Sequence, residues 1–282
     1  MGGTARQLVA IALTGAALAA GTAGVAAARE RPYADRIISG AVADPAQWPS
    51  IAGLYLRPRN RSDREFLICG ATVIAPRYVL TAAHCVEGAR PSKLAVVVGR
   101  PVLSDKSVGQ RIPIRTYRID PNYRPPFFRG DFAVLELRAD AAVAPAILPN
   151  PTQGAGATRV GSSVRVAGWG GTKPTGRAPS RILLTASETV VGQRACRRFY
   201  SRAFSSSKQI CVRGEAAGGR PNGACYGDSG GPLMADTLAG PLLVGVVSGG
   251  GNRCATQPEY YARVSAGLNF IRRVSGVGPA TP

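Results

Sequence analysis

Histidine is nearly missing from this chain: one occurs in 282 residues, along with two methionines, two tryptophans and four lysines. A lone imidazole and six scattered cysteines do not make a zinc site, and no metal or cofactor is expected. Long apolar runs are lacking after residue 28, so nothing in that part of the chain is expected to span a membrane. Internal repeats and low-complexity tracts are lacking too, which excludes a repeat array. Acids are scarce, 16 against 35 lysines and arginines, giving a net charge of +19. Even so, no dense basic run or aromatic-interleaved patch suggests specific nucleic-acid recognition.

The basic excess favours contact with polyanionic surfaces such as acidic cell-wall polymers, nucleic acid or acidic proteins. An arginine-, alanine- and glycine-rich composition equally reflects the coding composition of a genome. At the N-terminus, Arg6 precedes an apolar stretch from Leu8 to Ala28 that closes on Ala26-Ala27-Ala28. A charged start, an apolar middle and a small-residue end describe a secretory signal peptide over residues 1–28. The alternative is a membrane anchor, although alanine and glycine make the stretch weakly hydrophobic. The product is expected to be secreted, soluble and monomeric. In an exported chain six cysteines read as three disulfides, with fifteen possible pairings.

About 246 residues follow Arg36, enough for one large unit or two packed halves. Short apolar runs at Ile51–Leu56, Leu94–Val98, Val164–Ala167 and Leu242–Val247 are separated by Gly, Pro, Asn and Ser clusters, the pattern of an all-β fold. That pattern fits a sandwich or a barrel. One helix is expected, Ala266–Val274, where Leu268, Ile271 and Val274 recur at helical spacing. The segments 57–65, 149–162, 172–181 and 214–222 read as surface loops.

His84, in Leu80-Thr81-Ala82-Ala83-His84-Cys85, is the only candidate for imidazole acid-base chemistry near neutral pH. Far downstream, Gly227-Asp228-Ser229-Gly230-Gly231-Pro232 frames a serine with glycines and an acid. A serine hydroxyl is a poor nucleophile until a base removes its proton. A third group comes from Asp131, at the head of the alternating run Phe132-Ala133-Val134-Leu135-Glu136-Leu137. The order His, Asp, Ser differs from that of subtilisins and of α/β-hydrolases.

In these segments the chain resembles the trypsin/chymotrypsin-like (S1) serine proteases, from Ile37 to about Val274. Ile37-Ile38-Ser39-Gly40 resembles the family's mature N-terminus, and Ala167-Gly168-Trp169-Gly170 its mid-chain motif. Val247-Ser248-Gly249-Gly250 resembles its substrate-binding strand, and Tyr261-Ala262-Arg263-Val264 the strand before the closing helix. The resemblance implies two packed six-stranded antiparallel β-barrels with a C-terminal helix, spanning 37–282. The first barrel would supply His84 and Asp131 and the second Ser229, catalysing peptide-bond hydrolysis through an acyl-enzyme on protein or peptide substrates. It also implies disulfides Cys69–Cys85, Cys196–Cys211 and Cys225–Cys254. The N–H groups of Gly227 and Ser229 would form the oxyanion hole, and the backbone of Ser248, Gly249 and Gly250 would hold an extended peptide. Residues 29–36 would be an activation propeptide of a zymogen, cut after Arg36 so that the new amine of Ile37 pairs with Asp228.

Departures from the family pattern bear on specificity. The position six residues before the serine, acidic in trypsin-like members, is Gly223. Glu259 instead stands on the facing wall, where a few relatives carry an acid and accept basic as well as large apolar residues. The expected preference at P1 is therefore broad and includes Lys and Arg; if Glu259 turns aside, the pocket is neutral. Gly249 replaces the usual tryptophan of Ser-Trp-Gly, which removes an aromatic wall. The acids of a calcium loop are missing after Val98. The rival reading is a catalytically inactive homologue acting as a binding module, against which the chain retains all three catalytic residue types.

Overall fold

The computed structural model describes residues 1–2, 37–56, 66–126, 128–214, 220–238 and 240–279. The chain divides into two units, Met1–Tyr33 and Ala34–Pro282, and the fold below belongs to the second. All but the first two residues of the expected signal peptide, the propeptide with Arg36, and the 57–65 loop lie outside the described residues, as does part of the 214–222 loop.

A short strand β1 (Ala41–Val42) leads into β2 (Ile51–Leu56), β3 (Phe66–Ala75), β4 (Tyr78–Thr81), β5 (Leu94–Val98), β6 (Gln110–Ile119) and β7 (Ala133–Leu137). These six strands, β2 to β7, close into an antiparallel barrel in the order β2-β3-β4-β7-β6-β5. Its interior is filled by inward-turned aliphatics such as Leu54, Val73, Val96, Ile112 and Leu135. Closure leaves no open edge among them.

The second half begins with α1 (Pro151–Ala157) and continues through β8 (Ser163–Gly168), β9 (Leu184–Val190), α2 (Gln193–Tyr200), β10 (Gln209–Gly214), β11 (Pro232–Ala235), β12 (Leu242–Gly249) and β13 (Glu259–Arg263). The order β9-β10-β13-β12-β11-β8, with β8 pairing back onto β9, closes a second six-stranded ring; β1 adds to β9 outside it. Val166, Leu184, Ile210, Leu233 and Val244 fill this core, and Ile37 is buried with them. The chain ends in α3 (Val264–Ser275), whose Val264, Gly267, Leu268 and Ile271 form one buried face. Gly276 in the left-handed region closes it. The molecule is therefore two antiparallel six-stranded barrels with a C-terminal helix.

Two expectations need correction. The 149–162 segment is not loop throughout: Asn150 Oδ1 accepts the Gln153 N–H at 2.8 Å, Gln153 Oε1 accepts the Asn150 N–H at 3.0 Å, and Pro151 follows the cap. That reciprocal capping box starts α1. The final helix is also not the only one, since α2 forms where Cys196 buries one side against Cys211. Where the barrels meet, Leu80, Phe132 and Val134 of the first pack with Ala167, Met234 and Val246 of the second. The backbones come very close there: Gly70 donates its N–H to the Ser229 carbonyl at 2.7 Å. A Cβ on Gly70 would stand 2.7 Å from Gly231 Cα.

Candidate active site

His84 lies in a short 3-10 turn, Ala83–Cys85, just after β4, and Asp131 lies two residues before β7. β4 and β7 are paired neighbours, with Thr81 opposite Ala133, so the two residues are brought side by side. Asp131 is fully buried. Its Oδ1 accepts the His84 backbone N–H at 3.0 Å, and its Oδ2 lies 2.8 Å from His84 Nδ1. The Ser248 hydroxyl donates to the same Oδ2 at 2.6 Å. A buried carboxylate needs such donors, and this one holds the imidazole at a fixed angle with Nδ1 turned inward. Phe128 stacks obliquely on the imidazole, ring centres 5.1 Å apart.

Ser229 comes from the turn between β10 and β11. It shares with His84 one cavity of about 280 Å³ at the junction of the barrels, also lined by Ser248, Gly249, Gly250 and Glu259. The Cys225–Cys254 disulfide, Cα atoms 5.2 Å apart, joins the serine loop to the opposite wall. Cys69–Cys85 ties β3 to the histidine turn, and Cys196–Cys211 ties α2 to β10. All three pairings match those implied by the resemblance.

Asp228, next to the serine, points the other way, into the second barrel, and is fully buried. Gly170 N–H at 2.7 Å and Cys225 N–H at 2.9 Å donate to its two oxygens. Burial outweighs these two bonds and raises its pKa from 3.8 to about 6. Ile37 is buried in that barrel's core, and Ile38 is bridged to Gly223 at the start of the serine loop. Gly227 has φ of +99°, which turns the backbone two residues before Ser229.

Glu259 does face the cavity. It is buried, its Oε2 accepting the Ala224 N–H at 3.0 Å and its Oε1 the Ala255 N–H at 3.2 Å. Burial, and the negative charge of Glu188, push its pKa well above 4.5. Glu188, not anticipated from sequence, is also buried, and burial raises it from 4.5 to about 7. The expected loss of an aromatic wall at Gly249 is not what the structure has. A Cβ there would meet Tyr260 Oη at 2.4 Å and Cζ at 2.5 Å, so a phenol from β13 fills the vacated space. Burial, followed by the Asp131 charge, pushes that phenol up to about 12.

The model for the family described as Trypsin matches residues 37–271. That span takes in both barrels, the three disulfides and nearly all of α3. The chain belongs to the trypsin family of serine proteases.

Proposed function

We propose that the protein is a secreted serine endopeptidase, made with a signal peptide over 1–28 and a propeptide over 29–36, and activated by cleavage after Arg36. One observation carries the reading: Asp131 grips His84 by backbone and ring together, while His84 and Ser229 face the same cavity. His84 then serves as general base for the Ser229 hydroxyl, and Asp131 fixes the tautomer and stabilises the imidazolium. The attacked carbonyl becomes an oxyanion held by the N–H groups of Gly227 and Ser229. His84 next delivers its proton to the leaving amine, and water repeats the sequence on the acyl-enzyme. The backbone of Ser248, Gly249 and Gly250 pairs with an extended peptide as an added strand.

Cleavage after Arg36 gives Ile37 a free ammonium. Asp228 is a buried carboxylate that gains from it, because its two amide donors leave its pKa raised. The test is covalent labelling with a sulfonyl fluoride before and after cleavage at Arg36. Stoichiometric labelling of Ser229 and peptide hydrolysis are expected only in the cleaved form. A folded, cleaved protein that takes up no label is an inactive homologue.

A further inference from the structure

Glu188 and Glu259 enter the second barrel from different strands. β9 alternates, with Leu184, Ala186, Glu188 and Val190 buried, and Glu188 stands opposite Gly214 of β10. β13 brings in Glu259, opposite Val212 of β10. The two carboxyl groups come together beside Gly223. Tyr261 donates its hydroxyl to Glu188 Oε2 at 2.7 Å. Glu188 Oε1 is buried and receives no donor from the described residues.

Gly223 marks the meeting point. Its φ is +150°, and a Cβ there would stand 2.9 and 3.0 Å from the Glu259 oxygens and 3.1 Å from Glu188 Oε1. Two acids thus converge from the walls on the place that a side chain at 223 would fill. Two carboxylates in contact cannot both ionise unaided, and a buried oxygen without a donor requires a proton or a cation.

We infer that Glu188 and Glu259 act as one diacid at the base of the cleft, holding one proton between them when empty and giving it up when a P1 Lys or Arg enters. This rests on the endopeptidase reading above. The exchange is balanced: the proton-sharing pair plus a guanidinium gives two carboxylates, of which Glu259 holds that guanidinium, and one proton released to water. The titratable groups facing the pair are Tyr261, Asp228 and Tyr200. The Asp228 charge opposes ionisation of Glu188, and the Tyr261 hydroxyl favours it. A cation therefore binds better as pH rises, so the preference for Arg over Leu at P1 climbs through neutrality and above. Glu259 is the binding residue; Glu188 is a positioning residue acting through the shared proton.

Two measurements on the cleaved protein test this. The first is kcat/KM for Arg and Leu peptides from pH 6 to 9; the second is calorimetry of benzamidine binding at pH 8 in buffers of different ionisation enthalpy. In the wild type the Arg/Leu ratio should rise with pH, and close to one proton should leave per benzamidine bound. Glu259→Gln should lower the ratio about 100-fold, the scale of losing one partner of a buried ion pair. Glu188→Gln supplies an amide donor in place of the proton, so the ratio should stop rising with pH and proton release should vanish. Tyr261→Phe, a milder change, should move the rise to higher pH. A flat ratio, no proton release, or no benzamidine binding overturns the diacid. Benzamidine binding does not need catalysis, so proton release from a protein that Ser229 labelling shows to be inactive would sustain the diacid while the endopeptidase reading fell.

Discussion

Asp131 and Asp228 are both completely buried, yet the chain treats them differently. At the junction of the barrels, Asp131 takes the His84 N–H, the His84 ring and the Ser248 hydroxyl, with donors drawn from both halves of the chain. Inside the second barrel, Asp228 has two backbone amides and its pKa still stands well above 3.8, while Glu188 and Glu259 face each other. The first region carries its own partners for its carboxylate. The second holds carboxylates whose demand exceeds what the fold supplies. In the proposed mechanism the missing partners come from outside: an ammonium made by cleavage, and the side chain of a substrate.

Breaking the first region should have the largest effect. Asp131→Asn keeps the size of the side chain but replaces an acceptor with an amide, which favours the wrong tautomer of His84. Turnover should fall about 10⁴-fold, a figure that holds for such triads generally rather than one obtained from these distances. Ser229→Ala and His84→Ala should each cost on the order of 10⁴- to 10⁶-fold, and the double variant should be little worse, because the residues act as a unit. Circular dichroism should show all of them folded. Substantial peptidase activity in folded Ser229→Ala would refute the mechanism.

The second region should reveal itself in stability against pH. The Asp228 pKa in the folded chain is about 6, above 3.8, so its contribution is fully present below pH ~4 and is lost as pH rises through 6. A shift of this size corresponds to roughly 3 kcal/mol. For the uncut chain, the urea stability of the wild type relative to Asp228→Asn should therefore decline by that order between pH 4 and 7. After cleavage at Arg36 the decline should disappear, because the Ile37 ammonium favours the charged form. The same slope in cut and uncut protein would separate Asp228 from activation. Asp228→Asn should also leave the cleaved enzyme crippled.

How far each region was legible in sequence follows from where its signals lie. The strands at Ile51–Leu56 and Leu94–Val98 are bounded by residues that break them, and they form where the runs stand. His84, Asp131 and Ser229 each sit in a short local motif, so all three could be named before any contact was seen. The α1 capping box is equally local, Asn150-Pro151 with Gln153 on the third helical position, but the glycines and prolines around it carry the stronger loop signal. Glu188 left one trace, an acid at an inward position of the alternating run Leu184–Val190. Its meeting with Glu259 depends on β10 lying between them, which no local pattern contains. Tyr260 filling the space at Gly249 is likewise a matter of register across β12 and β13.

The Ser248 hydroxyl offers the smallest and most discriminating break in the comparison. The sequence pointed to this residue for its backbone, but the side chain reaches Asp131, 117 positions away, at 2.6 Å. Ser248→Ala removes one of three donors and leaves both His84 contacts in place. A hydrogen bond to a buried charge is worth about 1.5–3 kcal/mol, shared here between stability and the orientation of the imidazole. The expected result is a fall in kcat/KM of about 10-fold, far short of Asp131→Asn, with a comparable modest loss in urea stability. The Arg/Leu preference should not move, because Ser248 contacts the Asp131 carboxylate and not the diacid. If Ser248→Ala matched Asp131→Asn in severity, the serine would be setting the tautomer itself. If instead it changed neither rate nor stability, the junction acid would be held by His84 alone, and the contrast with the under-supplied acids of the second barrel would narrow.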